Sequence, residues 1–535
     1  MKVKRFILPG IILLAVFLRF QNVKWDSGFH LHPDERFLTM VGNAMKIPVS
    51  VEQYFNPDTS PLNPANVGFP FFVYGAFPVI VNKIIALLLG NDTYGAFTLQ
   101  GRMLSGLADM AVLLLVYKAA KLYRKTTPLW AAFFYAIAVL PIQLSHFFTT
   151  DSFLNLFMFA SFYFAWGQRS SFPKIMVSAV FFGLAAASKI SAVYILPLIV
   201  FFIGFPLIKQ KKFFSLVQCL LFFTVTAYLV IRIANPYYFR STDLFDPRLN
   251  QMFEKSITDL KAMSDGKVWF PPAVQWYGKA PLFFSLFNLG IFGLGIPYFF
   301  FVVIGMVSTS SIQLIAAALW AVGYFLYNSL SFTKAMRYLI FLFPFFALFA
   351  ARGMTKIKNF KFQILIAVTL LIWPLLFSTI YLRKHTRVRA SEWIYQNLPD
   401  RSLILSEYWD DGLPLRVETA QDKQYKTEEL HVFDPDNEEK WRKMDDQLKR
   451  ADYYILSSNR GWGSMPTVPQ KYPRMSKFYT DLFNGKTNYA LIKKFVPAYQ
   501  FFFPFHPDSW FNGWFEEAFT VYDHPSVLIF KNTYK

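Results

Sequence analysis

The sequence predicts a mainly α-helical protein that crosses a membrane about eleven times, counting runs near span length, and ends in an extracytoplasmic α/β domain. Three observations predict it. Of 535 residues 54% are hydrophobic, 19% are aromatic and only 16% are charged, which is too oily for a soluble chain of this length. Apolar runs approaching the roughly 20 residues a span needs recur with Lys and Arg clustered between them. After Leu382 the composition turns abruptly to charged, Pro-punctuated sequence. The formal charge of +20 does not make this a nucleic-acid partner, because the basic residues fall in short clusters where topology and anionic membrane lipid account for them. Cys219 is the one cysteine, which excludes an intrachain disulfide and a thiolate metal cluster.

In chain order, Phe6 to about Phe20 begins the first span. Lys2, Lys4 and Arg5 on its near side put the N-terminus in the cytoplasm. Arg19 and Gln21 follow without a small-residue cleavage site, so the segment reads as an uncleaved anchor. A long outer loop, Trp25 to about Gln100, carries the apolar stretch Phe69 to Leu89, broken by Pro70 and Pro78 and expected to be a re-entrant or interfacial helix pair. The remaining spans are expected near Gly101–Leu122, Leu129–His146, Phe153–Trp166, Ile175–Ser188, Ala192–Ile208, Phe213–Ile233, Leu282–Val307, Ile312–Phe332, Tyr338–Ala351 and Phe362–Leu382. This count sends Tyr123-Arg124-Lys125, Arg169 with Lys174, Lys209-Lys211-Lys212 and Arg352 with Lys356, Lys358 and Lys361 to the cytoplasmic side. Making the Phe69 stretch a span would invert all of them. The expected division is residues 1–384 in the membrane and 385–535 outside it.

In the outer domain, strands are expected at Ser402–Ser406, Tyr453–Leu456 and Ser526–Phe530, with a polar-faced helix from Asn437 to Arg450. Trp409-Asp410 and Ser458 to Gly463 read as loops at strand ends. There a sugar could stack on Trp409 and bond to Asp410, although turns packed within an accessory domain explain them equally well.

The chemistry is expected at the outer mouth. His32-Pro33-Asp34-Glu35 sets two adjacent carboxylates at the edge of the membrane, where burying charge is expensive. On the same face the topology places Asp151 after His146, and the cations Arg102, Lys189, Arg232, Lys334 and Arg337. Singly each has a plain explanation: an acid capping a helix, or a base reaching for the interface. Together they describe a pocket for an anionic, phosphate-bearing group beside a carboxylate.

The Pro33-Asp34-Glu35 loop, Gly101-Arg102-Met103-Leu104-Ser105-Gly106-Leu107-Ala108-Asp109, Gln143-Leu144-Ser145-His146 through Asp151-Ser152, Gly183 to Ser188-Lys189, and Arg337-Tyr338 with Pro344 together resemble the GT-C membrane glycosyltransferases. The likeness is to the branch related to protein O-mannosyltransferases and aminoarabinose transferases, and it covers roughly residues 1 to 385. It implies inverting transfer of a sugar from a polyprenyl-phosphate-linked donor to a glycan, lipid or protein acceptor at the outer face. Asp34, with Glu35 beside it, would supply the general base. Asp151 would assist, and Arg102, Lys189 and Arg337 would meet the phosphate. Some members use a divalent metal ion held by the loop acids and others none, so metal dependence stays open, with His32 and His146 near enough in sequence to matter. The C-terminal stretch Glu517 to Pro525 shows no chemistry of its own. A lipid-linked-sugar flippase would also use cationic pockets between spans, but no repeated halves are visible. A non-catalytic glycan-assembly subunit would keep the same fold.

Overall fold

The structure, a computed structural model, describes residues 4–122, 128–166, 171–418, 423–501 and 516–535. The basic cluster Tyr123-Arg124-Lys125 and Arg169 lie outside the described residues. The chain is a polytopic, mainly helical membrane protein with a small C-terminal sheet. Six helices are long and apolar enough to cross a membrane, or up to eight if each of two bent pairs is one span. Each expected span holds helical structure, but the shorter helices at Phe6–Phe20 and Phe172–Ser188 and at Thr150–Ala165 would be needed to reach eleven.

The bent pairs were read as unbroken runs because apolarity alone carries no information about a bend. Pro128–Ala136 turns by 57° into Val139–Ser145, and Phe283–Leu294 turns by 111° into Ile296–Val307. The second break falls at Gly295, whose φ of 85° is open to glycine without a Cβ clash, and Pro297 follows two residues later in the first turn of the next helix. Close crossings elsewhere use small residues. A Cβ on Gly305 would lie 1.7 Å from the Phe349 carbonyl oxygen, and one on Gly353 would lie 2.4 Å from that of Phe301, so these two helices meet backbone to backbone.

The Phe69–Leu89 stretch is one helix, Phe77–Leu88, with Pro78 in its first turn, and not the expected pair. Residues 69–76 are irregular because their backbone bonds outward: the Gly75 N–H donates to the Ser188 carbonyl at 3.0 Å. That leaves no room for a side chain, since a Cβ at Gly75 would stand 1.8 Å from the Ala187 oxygen.

The C-terminal sheet has strands β1 (Leu403–Glu407), β2 (Lys426–Leu430), β3 (Tyr453–Leu456), β4 (Tyr489–Phe495) and β5 (Val527–Asn532) in the order β2-β1-β3-β5-β4. β2, β1 and β3 run parallel, while β5 is antiparallel to β3 and to β4. The three expected strands and the helix Glu438–Arg450, capped by the Asn437 side chain, lie where the pattern put them. Strands β2 and β4 escape the sequence reading because both are edges whose exposed residues are Lys, Thr and Glu or Ala, Leu, Ile and Lys, a pattern without clear alternation. The last strand, β5, is an inner one between β3 and β4.

Candidate active site

His32 and Pro33 start the helix Pro33–Ala44: the His32 side chain accepts from the Glu35 N–H and Pro33 takes the first helical position, where its missing N–H costs nothing. Successive helical side chains diverge by about 100°, so the two acids separate. Asp34 reaches Arg337, 303 residues away. Glu35 turns the other way and is fully buried.

Glu35 accepts from Arg102 Nε at 2.9 Å and Nη2 at 2.5 Å, and from the Phe148 N–H at 2.7 Å. The same guanidinium donates to both Asp26 oxygens at 3.0 and 2.7 Å and to the Val23 carbonyl at 2.7 Å, and the Trp25 ring covers it. All five donors of Arg102 are therefore engaged. Two expectations are corrected by this geometry: Arg102 has no donor left for a phosphate, and Glu35 fixes the first loop to the helix Tyr94–Leu122 and faces no cleft.

Around Asp34 the groups converge. Lys189 Nζ lies 2.7 Å from Asp151, and Lys189 and Arg337 flank the Tyr338 ring at 5.2 and 5.6 Å from its centroid. Arg337 sits in the field of both Asp34 and Asp151, and the Tyr74 hydroxyl in that of Asp34, Arg337, Asp151 and Tyr338. The structure thus brings Asp34, Asp151, Lys189 and Arg337 together. Asp34 and Arg337 are each 23% exposed at the side chain, so the pair faces an opening. Burial raises the Asp34 carboxyl, but the Arg337 charge, with His32 and Lys189 behind it, outweighs burial and holds it at about 2.

The expected sugar contacts fare unevenly. His32 is the helix cap, with its ring between Phe147 and Tyr522 at 4.4 and 4.3 Å. Burial pushes it down to about 4, so it is neutral at physiological pH. His146 is not a site residue: its ring nitrogens lie 2.8 and 3.1 Å from the Ile142 and Gln21 carbonyls, one of which its single N–H bonds, and its face stacks on Tyr381 at 3.6 Å. Asp410 is likewise committed, to Arg387 at 2.5 Å and to the Ser458 hydroxyl, which corrects its reading as a sugar ligand. Trp409 stays open at 39% exposure. Its φ of 80° is a strained backbone state for so bulky a residue, held by Arg460 bonding its carbonyl. Of the further cations at this face, Arg232 bonds the Ser241 and Asp243 carbonyls, and Lys334 bonds the Phe332 carbonyl at 3.0 Å.

Sequence reasoning missed the segment Glu516 to His524. The Tyr522 ring packs on His32 within the field of Asp34 and Arg337. Glu516 accepts the Met336 N–H at 3.0 Å, Glu517 pairs with Arg460 at 2.6 Å, and Asp523 accepts from Tyr381 at 2.7 Å and Gln143 at 3.2 Å. One signal could have found it: Glu516-Glu517 stands between Trp514-Phe515 and Ala518-Phe519, an acid pair in an apolar run, where burial demands partners.

Among the described residues no three His, Cys, Asp or Glu side chains converge on a metal-sized site. Asp34 and Asp151 each already hold a cation, so this donor set does not fit a divalent ion.

Residues 81–231, which include Arg102, Asp151 and Lys189, match the family described as dolichyl-phosphate-mannose-protein mannosyltransferase. No curated protein matches the chain. Among solved structures, the oligosaccharyltransferase AglB of Archaeoglobus fulgidus, in complex with an inhibitory peptide and a dolichol-phosphate, superimposes with a TM-score of 0.53 at 14% identity. That match covers 88% of this chain and 72% of AglB. The apo oligosaccharyltransferase of the same organism gives 0.52 at 13% identity, over 98% and 88% of the two chains. ArnT from Cupriavidus metallidurans bound to undecaprenyl phosphate gives 0.47 at 13%, over 98% and 97%. The chain has the GT-C fold. Within the GT-C fold of this chain, the Asp34–Arg337 pair lies where the first long loop meets the start of the helical segment Met336–Met354.

Proposed function

We propose that this GT-C protein transfers a sugar from a polyprenyl-phosphate-linked donor to an acceptor hydroxyl. The observation that carries the reading is the partly buried Asp34–Arg337 pair, set beside a second carboxylate–cation pair, Asp151–Lys189, across one Tyr338 ring. Family resemblance over residues 81–231 and the dolichol-phosphate in the AglB complex support a lipid-phosphate donor.

In this reading the acceptor oxygen forms a bond to the anomeric carbon with inversion and gives its proton to the Asp34 carboxylate. The anomeric carbon–phosphate oxygen bond breaks, and its electron pair leaves with the polyprenyl phosphate. Arg337 and Lys189 meet the growing charge on that phosphate, and Asp151 holds Lys189 in place. A carboxylate held at about 2 by Arg337 is a weak base. A donor phosphate that draws the guanidinium away removes that hold, so the base gains strength once the donor is seated. Exposed Trp409, beside Phe270 at 5.7 Å, offers a stacking surface for an acceptor sugar.

The orientation that fits places the N-terminus in the cytoplasm and both the site and the C-terminal domain on the outer side of the cytoplasmic membrane. The test is purified protein in detergent with a panel of polyprenyl-phosphate sugars, scoring release of free polyprenyl phosphate. Release that needs Asp34 supports the reading, and no release from any donor sinks it.

A further inference from the structure

The segment from Glu516 to Asp523 reaches the residues beside both members of the Asp34–Arg337 pair, from different sides. On the Arg337 side, the Glu516 carboxyl accepts the N–H of Met336, the residue immediately before Arg337, at 3.0 Å. Glu516 is 2% exposed, and its own N–H donates to Asn288 Oδ1 at 3.0 Å. On the Asp34 side, the Tyr522 ring lies 4.3 Å from His32, the residue whose side chain caps the helix carrying Asp34. Between these ends the segment is pinned to both halves of the molecule. The Glu517 N–H donates to Gln275 Oε1 at 3.1 Å, Gln143 Nε2 donates to the Phe519 carbonyl at 2.9 Å, and His385 Nε2 contacts the Tyr522 carbonyl at 3.1 Å.

We infer that this segment is a clamp that sets the register of the Asp34–Arg337 pair, with Glu516 as a positioning residue for Arg337. The two side chains come from elements 303 residues apart, and no single helix fixes both. A phosphate contact depends on guanidinium placement to a fraction of an ångström, and the residue before the one that carries this guanidinium is held by the Glu516 hydrogen bond. The environment of Glu516 agrees: burial pushes its carboxyl up to about 8, the Met336 N–H and Arg337 pull it back, and neighbouring Glu517 pushes it up again.

The inference rests on the reading of Arg337 as the phosphate contact, and its test separates the two. Undecaprenyl phosphate binding to the detergent-purified full chain is measured for wild type, Glu516→Ala, Glu516→Gln, Arg337→Ala and the Glu516→Ala/Arg337→Ala double variant. Glu516→Ala is expected to weaken binding by about tenfold, the loss of one buried hydrogen bond. Glu516→Gln, whose amide oxygen still accepts the Met336 N–H, is expected to stay within about threefold of wild type. With Arg337 already removed, Glu516→Ala should add nothing, whereas a merely structural role would give the same loss in both backgrounds. Equal losses, or wild-type binding by Glu516→Ala, overturn the clamp. Wild-type binding by Arg337→Ala overturns the phosphate reading and the clamp with it. Should Glu516→Ala not fold, Asn288→Ala, which frees the Glu516 peptide without emptying its site, takes its place in the cycle under the same criteria.

Discussion

At the scale of single residues, Asp34 and Glu35 are neighbours with separate work. Asp34→Asn keeps the size of the side chain but cannot take a proton, and general-base loss costs on the order of a hundred- to ten-thousand-fold in rate. It also leaves Arg337 without its carboxylate partner, so undecaprenyl phosphate should bind the variant as tightly as wild type or a few-fold tighter. Near-normal turnover by Asp34→Asn would remove it as the base. Arg102→Ala should act differently, because it strands Glu35 and Asp26 as buried charges, and breaking a buried pair in this way costs roughly 3–5 kcal/mol. The expected outcome is a large loss of thermal stability and of folded yield. A stable Arg102→Ala protein with weakened donor binding alone would return Arg102 to the phosphate site. Glu407 supplies a pH signature in the C-terminal domain. It is fully buried against the Tyr454 and Tyr479 hydroxyls at 2.5 and 2.6 Å, and burial outweighs those bonds to push its carboxyl from 4.5 to about 7. Between those values the folded domain keeps a proton that the unfolded chain has lost. Stability therefore falls as pH rises through that window, by up to about 3 kcal/mol. Glu407→Gln should raise the melting temperature at pH 8 and leave it nearly unchanged at pH 5, and an equal shift at both would show that Glu407 does not titrate there.

At the scale of elements, the segment 69–76 is held to the end of the helix Phe172–Ser188 by the Gly75–Ser188 hydrogen bond. It carries Tyr74 to the charged cluster, and Lys189 follows that helix directly. Any side chain at Gly75 collides with the Ala187 carbonyl, a backbone atom with nowhere to move. Gly75→Val should therefore push the loop off, lower activity together with stability, and leave the remaining helices folded. A variant with wild-type melting and turnover would show that this docking is dispensable. The same element shows where sequence reading stops. The apolar residues and two prolines of the stretch Phe69 to Leu89 predict helix on either side of a break, but the partner for Gly75 lies 113 residues on, and no local pattern encodes that meeting.

At the scale of the whole molecule, topology is the testable property. Reporter fusions after Lys212 and Lys358 should report cytoplasm, and fusions after Leu62 and Asp400 should report the outside, as the distribution of Lys and Arg requires. A cytoplasmic signal at Asp400 would overturn the orientation and, with it, an outward-facing site.

The sequence by itself determined the membrane class, the positions of the helical runs, the α/β character of the C-terminal domain, and the placement of Asp34, Asp151, Lys189 and Arg337 on one face together with Glu35, Arg102, Arg232 and Lys334. All of these follow from composition, period and charge placement, which are local. Only the tertiary structure decided that Arg102 is locked between Glu35 and Asp26, that His146 and Asp410 have their partners already, and that Glu516 and Tyr522 reach the Asp34–Arg337 pair. Whether a buried charge is free or satisfied depends on what packs against it from distant sequence. The low-dielectric interior that makes an unpaired charge costly sets that demand without naming the partner.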